Sequence, residues 1–246
     1  MAPSIGPITT MTPPDRGMEL LNRVEYRLAK TDAEKEAVYR LRYRAYLHEG
    51  AILPRADQRL TDRFDEAANS WIFGIFIDGM LCSSLRISVA TPDMPDTPAV
   101  EAFPDLLKPE LAHGKTIVDP NRFVADPARE VKFPQLPYVT LRLAYVACTH
   151  FKADIGTATV RREHQAFYKR VFLHKPLCEP RPYPTLTKPL SLMAVHYPSM
   201  REKVFARYPM FRSTPLERAH LFEHKSTTLA PTDLPVFPMA RKLATS

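Results

Sequence analysis

The sequence predicts one α/β domain of the α+β kind: a mixed central sheet flanked by helices, with a helical extension at the C-terminus. Three observations lead there. The chain has 246 residues and is 45% apolar, enough to bury one substantial core rather than two equal ones. Strand-like and helix-like periods follow one another in the order βα, loop, ββ, β, α, β, α, ββ, which makes a mixed sheet with helices on it. Four of these segments also set arginine or aspartate inside patterns that otherwise read as core: Leu41 to Tyr46, Asp62 to Asp65, Ser84 to Ser88 and Asp119 to Phe123.

Residues 1–17 and the last 20 or so, from about Lys225, have no sustained period and are rich in Pro, Ser and Thr, so both are expected to be tails. The division expected is a flexible N-terminal tail over 1–17, one folded domain over 18–213, and a C-terminal helix with an extended tail over 214–246. Val24 to Leu28 alternates as a first strand. Thr31-Asp32-Ala33-Glu34 is a capping box that starts a helix near residue 32, with Ala37, Val38, Leu41 and Ala45 on one face, Arg42 beside them and Tyr46 one turn on. Arg40 and Arg44 fall on the solvated side, and 50–68 reads as a loop.

Trp71 to Ile77 and Leu81 to Val89 flank Asp78-Gly79, a dipeptide suited to a tight hairpin turn. In the second strand Leu81, Ser83, Leu85, Ile87 and Val89 share one face, and Cys82, Ser84, Arg86 and Ser88 the other. Residues 91–114 are Pro-rich and read as irregular. The next strand begins at Thr116 and is interrupted by Pro120, which requires a sheet edge or a bulge; a bulge would turn Asp119 and Arg122 the same way. Leu136 to Phe151 is a long helix, Ile155 to Val160 a short strand, and Arg161 to Phe172 a helix with His164 and Tyr168 one turn apart. A strand near Leu177 to Leu186 and another over Pro189 to Tyr197 complete the sheet, followed by helices over Ser199 to Tyr208 and Pro215 to His224.

Composition narrows the function. Cys82, Cys148 and Cys178 are odd in number and far apart, without metal-ligand spacing, so reduced, buried or half-buried thiols and no metal are expected. No HExxH, nucleophile elbow or Walker loop occurs. The N-terminus lacks the pattern of a signal peptide and the longest apolar run, Trp71 to Ile77, is too short to span a bilayer, which predicts a soluble, cytoplasmic protein. The net charge of +7 is spread along the chain without the aromatic interleaving of an RNA-binding motif, so nucleic acid is not favoured as a partner and an acidic protein fits the charge equally well.

A charge in a core-like segment must be paired, because burying it alone costs several kcal/mol. Arg42, Arg86 and Arg122 with Asp62, Asp65 and Asp119 therefore predict a shared polar cleft. Two readings stand side by side: a structural ion-pair network, or a pocket in which guanidinium takes a carboxylate and aspartate an ammonium.

The element order and these four stretches together resemble the Gcn5-related N-acyltransferase fold, and within it the branch of N-acyl amino acid synthases and acyl-homoserine-lactone synthases. Arg42 and Tyr46 match the arginine and aromatic of that branch's first helix, Asp62 and Asp65 its loop acids, Arg86 its hairpin arginine, and Asp119, Arg122 and Phe123 its next strand. Arg162 to Tyr168 and Arg181-Pro182-Tyr183-Pro184 look most like the N-acyl amino acid synthases. Asp119 stands where glutamate is usual in the lactone synthases, and Leu173-His174 replaces the usual Gly-Phe after the late helix. No glycine occurs between Gly114 and Gly156, so the Gly-rich pyrophosphate loop of CoA-dependent members is missing.

The resemblance implies transfer of a fatty acyl group from the phosphopantetheine thioester of acyl-carrier protein to the α-amine of an amino acid, with no other cofactor. It places Asp119, Arg122 and Arg86 in catalysis, and Arg42, Tyr46, Asp62, Asp65, Phe123, His164 and Tyr168 in substrate binding. Asp119 would assist deprotonation of the amine, which requires burial to raise it from an ordinary pKa of about 3.9. His164 and Tyr168 either protonate the departing thiolate or pack. Arg161, Arg162, Lys169, Arg170 and Lys175 form a basic neighbourhood expected to dock the acidic carrier protein. The alternatives are a lactone synthase using S-adenosylmethionine and a non-catalytic binder of acyl groups or protein.

Overall fold

The structure is a computed structural model and describes residues 13–183 and 186–223. In chain order the elements are α1 (Pro13–Leu21), β1 (Val24–Leu28), α2 (Asp32–His48), β2 (Ser70–Ile77), β3 (Met80–Ala90), α3 (Pro98–Ala102), α4 (Pro104–Ala112), β4 (Ile117–Ala125), α5 (Pro127–Glu130), α6 (Leu136–His150), β5 (Ile155–Val160), α7 (Gln165–Phe172), β6 (Lys175–Pro176), β7 (Ser191–His196), α8 (Tyr197–Arg207) and α9 (Pro215–Phe222). Among the described residues the strands form one sheet in the order β1-β2-β3-β4-β5-β7-β6. Its pairs are antiparallel except for β4 with β5.

Local chemistry sets the well-defined boundaries. Thr31 and Glu34 complete the reciprocal capping box at the start of α2. Asp78 and Gly79 both turn through positive φ (51° and 76°), the conformation of a two-residue hairpin that keeps the strand twist.

Residues directly opposite in a ladder share a face, so the sheet has two distinct sides. On one, Phe73, Ile75, Leu85, Ile87 and Val118 pack under α6, α8 and α9 in the main core. On the other, α2 covers Ile72 and Val124, while α3 and α4 cover Ala90, Ile117, Ile155 and Leu192. Arg86, Ser88 and Asp119 belong to this second side. The C-terminal extension is held from the first side. Arg142 of α6, 1% exposed, pairs with Glu217 of α9 at 2.5 Å and donates to the Met210 and Arg212 carbonyls.

Several expectations are corrected. α1 begins inside the segment read as a tail: Leu20 enters the main core, and Gly17 lies so close to the Met210 sulfur that a β-carbon there would clash at 2.6 Å. Residues 91–114 contain α3 and α4, because Pro98 and Pro104 occupy first-turn positions where a missing N–H costs nothing. Among the described residues the strand expected over Leu177 to Leu186 reduces to the Leu177 N–H bond to the Leu192 carbonyl and a bridge from Arg181 to Leu190, since Pro180 and Pro182 cannot donate to a ladder. Loop 50–68 carries a 3-10 turn, Arg63–Glu66. Cys82 leaves the Arg86 face for the main core, because the β2–β3 register shifts by one residue beside it. The tail expected from about Lys225 lies outside the described residues.

One departure from regular pairing positions the site. β4 and β5 pair only at Ile117–Ile155 and Val118–Gly156, then part. Pro120, which has no N–H to donate, falls just past the parting point. Arg122 then adopts φ 52° where β4 has one residue more than β3, giving the bulge the proline required.

Candidate active site

The gap between β4 and β5 opens into a cavity of about 410 Å³ with walls from both sides of the sheet. From the α6 side come Phe123, Pro137, Leu141, Phe167 and Tyr168, a largely apolar wall. From the α2 side come the polar groups of Tyr46, His48, Glu49, Asn121, Arg122, Thr157, Thr159 and Lys188, set among Ala45, Ala51 and Leu186. The Thr159 hydroxyl is buried there without a hydrogen-bond partner among the described residues. A molecule with an apolar tail and a polar head matches this division.

The expected arginine cluster exists and lies under α2. The Arg86 guanidinium is fully buried and bonds Asp62 at 2.6 and 3.0 Å and Asp65 at 2.7 Å. Arg42, also fully buried, reaches Asp65 at 2.7 Å, and Arg122 meets Asp62 at 2.6 and 2.9 Å. The two aspartates cap their own 3-10 turn reciprocally, so one turn of loop is clamped to α2, β3 and β4 at once. Burial alone would raise the Asp62 carboxyl, but Arg86 and Arg122 hold it well below the usual carboxylate range. Of these five residues only Arg122 lines the cavity, with its guanidinium carbon 5.6 Å from the Tyr46 ring centre. Arg42, Arg86, Asp62 and Asp65 therefore hold Arg122 and the loop in place from behind.

Asp119 departs from the expected shared cluster. It is fully buried, yet no arginine hydrogen-bonds it: one oxygen accepts from the Ala99 N–H at 2.9 Å, and the other lies 3.5 Å from the Thr157 hydroxyl. Asn121 stands between Asp119 and the arginines, accepting from Arg86 at 2.6 Å and donating to the Asp119 carbonyl at 2.9 Å. Burial, only partly offset by the Ala99 N–H and Arg86, pushes the Asp119 carboxyl up to about 6. The shift is the one a general base near neutral pH requires. Tyr183 lies close enough to Asp119 and Arg122 for both to affect it electrostatically, chiefly after burial, which raises its pKa.

The remaining expected residues divide. Tyr46, Phe123, His164 and Tyr168 line the cavity. His164 precedes α7 rather than lying within it, and its Nε2 sits 2.8 Å from the Arg161 guanidinium, in place to accept a hydrogen bond. Desolvation first and the Arg161 cation second lower its pKa, so the ring is poised as an acceptor. Tyr168 packs on Phe167, Phe172 and His174. Arg161, expected among the docking cations, turns inward instead: it pairs with Glu49 at 2.5 Å across the cavity rim. Arg162, Lys169, Arg170 and Lys175 stay exposed, and none forms a salt bridge among the described residues.

Sequence reasoning passed over Asn121, Thr157, Arg142 and Lys188. Asn121 sat inside a motif already singled out, and Thr157 and Thr159 are the alternating polar positions of an otherwise apolar strand. Nothing local marks Lys188, which arrives through its hydrogen bond to the Glu49 carbonyl at 3.2 Å.

A mixed sheet flanked by helices and parted at one strand pair, with a cavity beyond the fork, is the architecture of the Gcn5-related N-acyltransferase fold. The family model for the N-acyl amino acid synthase FeeM matches residues 37–196, more than half of the chain. The chain belongs to that family, and it is an acyltransferase acting on amino acids. Among solved structures, FeeM from uncultured soil microbes is similar over 78% of this chain and 99% of its own, with TM-score 0.61 and 17% identity. The CoA-dependent acyl-homoserine lactone synthase BjaI is similar over 76% of this chain and 89% of its own (TM-score 0.52, 15% identity). The acyl-homoserine lactone synthase LasI is similar over 70% and 89% (TM-score 0.50, 14% identity). At these identities the likeness is one of fold. A search of curated proteins by sequence gives no match.

Proposed function

We propose that the protein transfers a fatty acyl group from the phosphopantetheine thioester of acyl-carrier protein to the α-amine of an amino acid, producing a long-chain N-acyl amino acid. The observation that carries this reading is the two-sided cavity at the β4–β5 fork. Its apolar wall suits the acyl chain, its polar wall suits an amino acid, and the thioester carbonyl sits between them. Past Val118 the backbone edges of β4 and β5 no longer bond each other, which leaves amide groups for the amides of pantetheine.

A carrier-protein donor is supported by the start of α6, where a CoA pyrophosphate would need free N–H groups. Pro137 has none, the Leu136 N–H bonds the Phe133 carbonyl, and the Tyr138 and Val139 N–H groups both bond the Gln135 carbonyl. With these amides consumed, a donor lacking the pyrophosphate fits better. Arg162, Lys169, Arg170 and Lys175 are the surface for its acidic carrier.

In the reaction Asp119, ionised above about pH 6, is the final acceptor of a proton that leaves the ammonium, and the freed amine attacks the thioester carbonyl. Arg122, fixed by Asp62, supplies positive charge beside the polar wall. The sulfur leaves as a thiolate and takes up the second amine proton. Asp119→Asn should reduce transfer by about 10²–10⁴-fold, the usual worth of a general base, while leaving the melting curve of a folded protein. Turnover within a few-fold of wild type would remove Asp119 from this role.

A further inference from the structure

Asp119 is placed where it cannot touch a substrate. It is fully buried and does not line the cavity, its Oδ2 is occupied by the Ala99 N–H, and α3 closes the space behind it. Thr97, Asn121 and Thr157 are the side chains that act on the carboxylate, and of these Asn121 and Thr157 line the cavity. The Asn121 amide neither gives nor takes a proton near neutral pH, which leaves Thr157, whose Oγ1 is 3.5 Å from Oδ1. The position of Thr157 follows from the fork itself. The last β4–β5 pair is Val118–Gly156, so Asp119 and Thr157 are the first residues past it, on the same side of the sheet. The hydroxyl also approaches the Val118 carbonyl at 3.3 Å, so rotation of the O–H about the Cβ–Oγ1 bond turns its proton between strand backbone and carboxylate.

We infer that Thr157 is the group that takes the proton from the acceptor amine and passes it to Asp119. The inference rests on the role proposed above for Asp119 and extends it to a residue in the cavity wall. As the ammonium gives a proton to Thr157 Oγ1, the hydroxyl proton moves to Asp119 Oδ1, and Thr157 ends as it began. The nitrogen lone pair then forms the N–C bond, the C–S bond breaks, the thiolate takes the second nitrogen proton, and Asp119 returns its proton to solvent. The charged and titratable groups around Asp119 are Arg86 behind Asn121, Arg122 on the same strand and Tyr183 from the segment after β6. None of them stands between Thr157 and the carboxylate.

The test compares Thr157→Val, which keeps shape without the hydroxyl, with Thr157→Ser, which restores it. Thiol release from palmitoyl-acyl-carrier protein is followed across pH 6 to pH 10, with the standard amino acids together as acceptor and with methoxyamine, whose nitrogen is neutral at pH 7, as a second acceptor. Thr157→Val should be about 10²-fold slow with amino acids at pH 7, recover as the amine loses its own proton above about pH 9, and retain methoxyamine transfer; Thr157→Ser should stay within a few-fold of wild type. Thr157→Val at near wild-type rate while Asp119→Asn is inactive would overturn the relay and leave Asp119 as the base. An equal loss for both Thr157 variants at every pH and with both acceptors would show a merely structural residue and overturn it as well. Wild-type turnover in Asp119→Asn would instead remove the reading on which the relay rests.

Discussion

Asp119 and His174 titrate in opposite senses, and their opposition is measurable. His174 is buried beside Tyr168 and Phe172, and its ring nitrogens make no well-formed hydrogen bond; burial pushes its pKa down to about 4. Between the unfolded value of about 6.5 and this one, the unfolded chain binds the extra proton, so acidification through that window costs stability. Asp119, pushed up to about 6, binds its proton first in the folded state, so acidification from 6 to about 4 adds stability. Each effect is worth about 3 kcal/mol at full extent, and the two nearly cancel. Chemical denaturation from pH 7 to pH 4.5 should therefore show His174→Phe gaining stability on acidification and Asp119→Asn losing more than wild type. Parallel curves for the two variants would contradict this assignment. The sequence revealed that Asp119 needed burial to act, but its separation from the arginines depends on the Ala99 N–H arriving from α3. Helix α3 was hidden because prolines that open a helix look like prolines that break one.

The elements whose own residues state their period were legible. Val24 to Leu28 and Ile155 to Val160 alternate between turn residues and appear with the bounds read from sequence. The bulge, too, followed from Pro120. What local sequence does not encode is how the 3-10 turn at Arg63–Glu66 docks, since its two aspartates meet arginines 21 to 60 residues away. That clamp is brittle. Arg86→Ala leaves Asp62 and Asp65 short of a buried partner and should cost about 3–5 kcal/mol, a fall in melting temperature on the order of 10 °C. A similar loss is expected for Glu217→Ala, which leaves Arg142 buried without its carboxylate; limited proteolysis should then cut near α9 before the rest of the domain. A shift below 2 °C in either variant would show that these pairs do not hold their elements.

Taken whole, the molecule carries exposed Arg162, Lys169, Arg170 and Lys175 in and beside α7, whose Phe167 and Tyr168 line the cavity, in a chain of net charge +7. No helix among the described residues is long and apolar enough to cross a membrane. If these cations capture a carrier protein, replacing Arg162, Lys169, Arg170 and Lys175 together by glutamate should raise KM for acyl-carrier protein at least tenfold and spare kcat. The same change should leave KM for a short acyl-pantetheine thioester unaltered. Raised salt should mimic the change, because screening shortens the reach of exposed charges from about 8 Å to about 3 Å. The measurement that tests the account most directly is product analysis by mass spectrometry after incubating palmitoyl-acyl-carrier protein with the standard amino acids and S-adenosylmethionine. The account predicts an N-palmitoyl amino acid formed in step with free carrier thiol by the wild type and lost in Asp119→Asn. Thiol release without an N-acyl amino acid, or an acyl-homoserine lactone in its place, would contradict it.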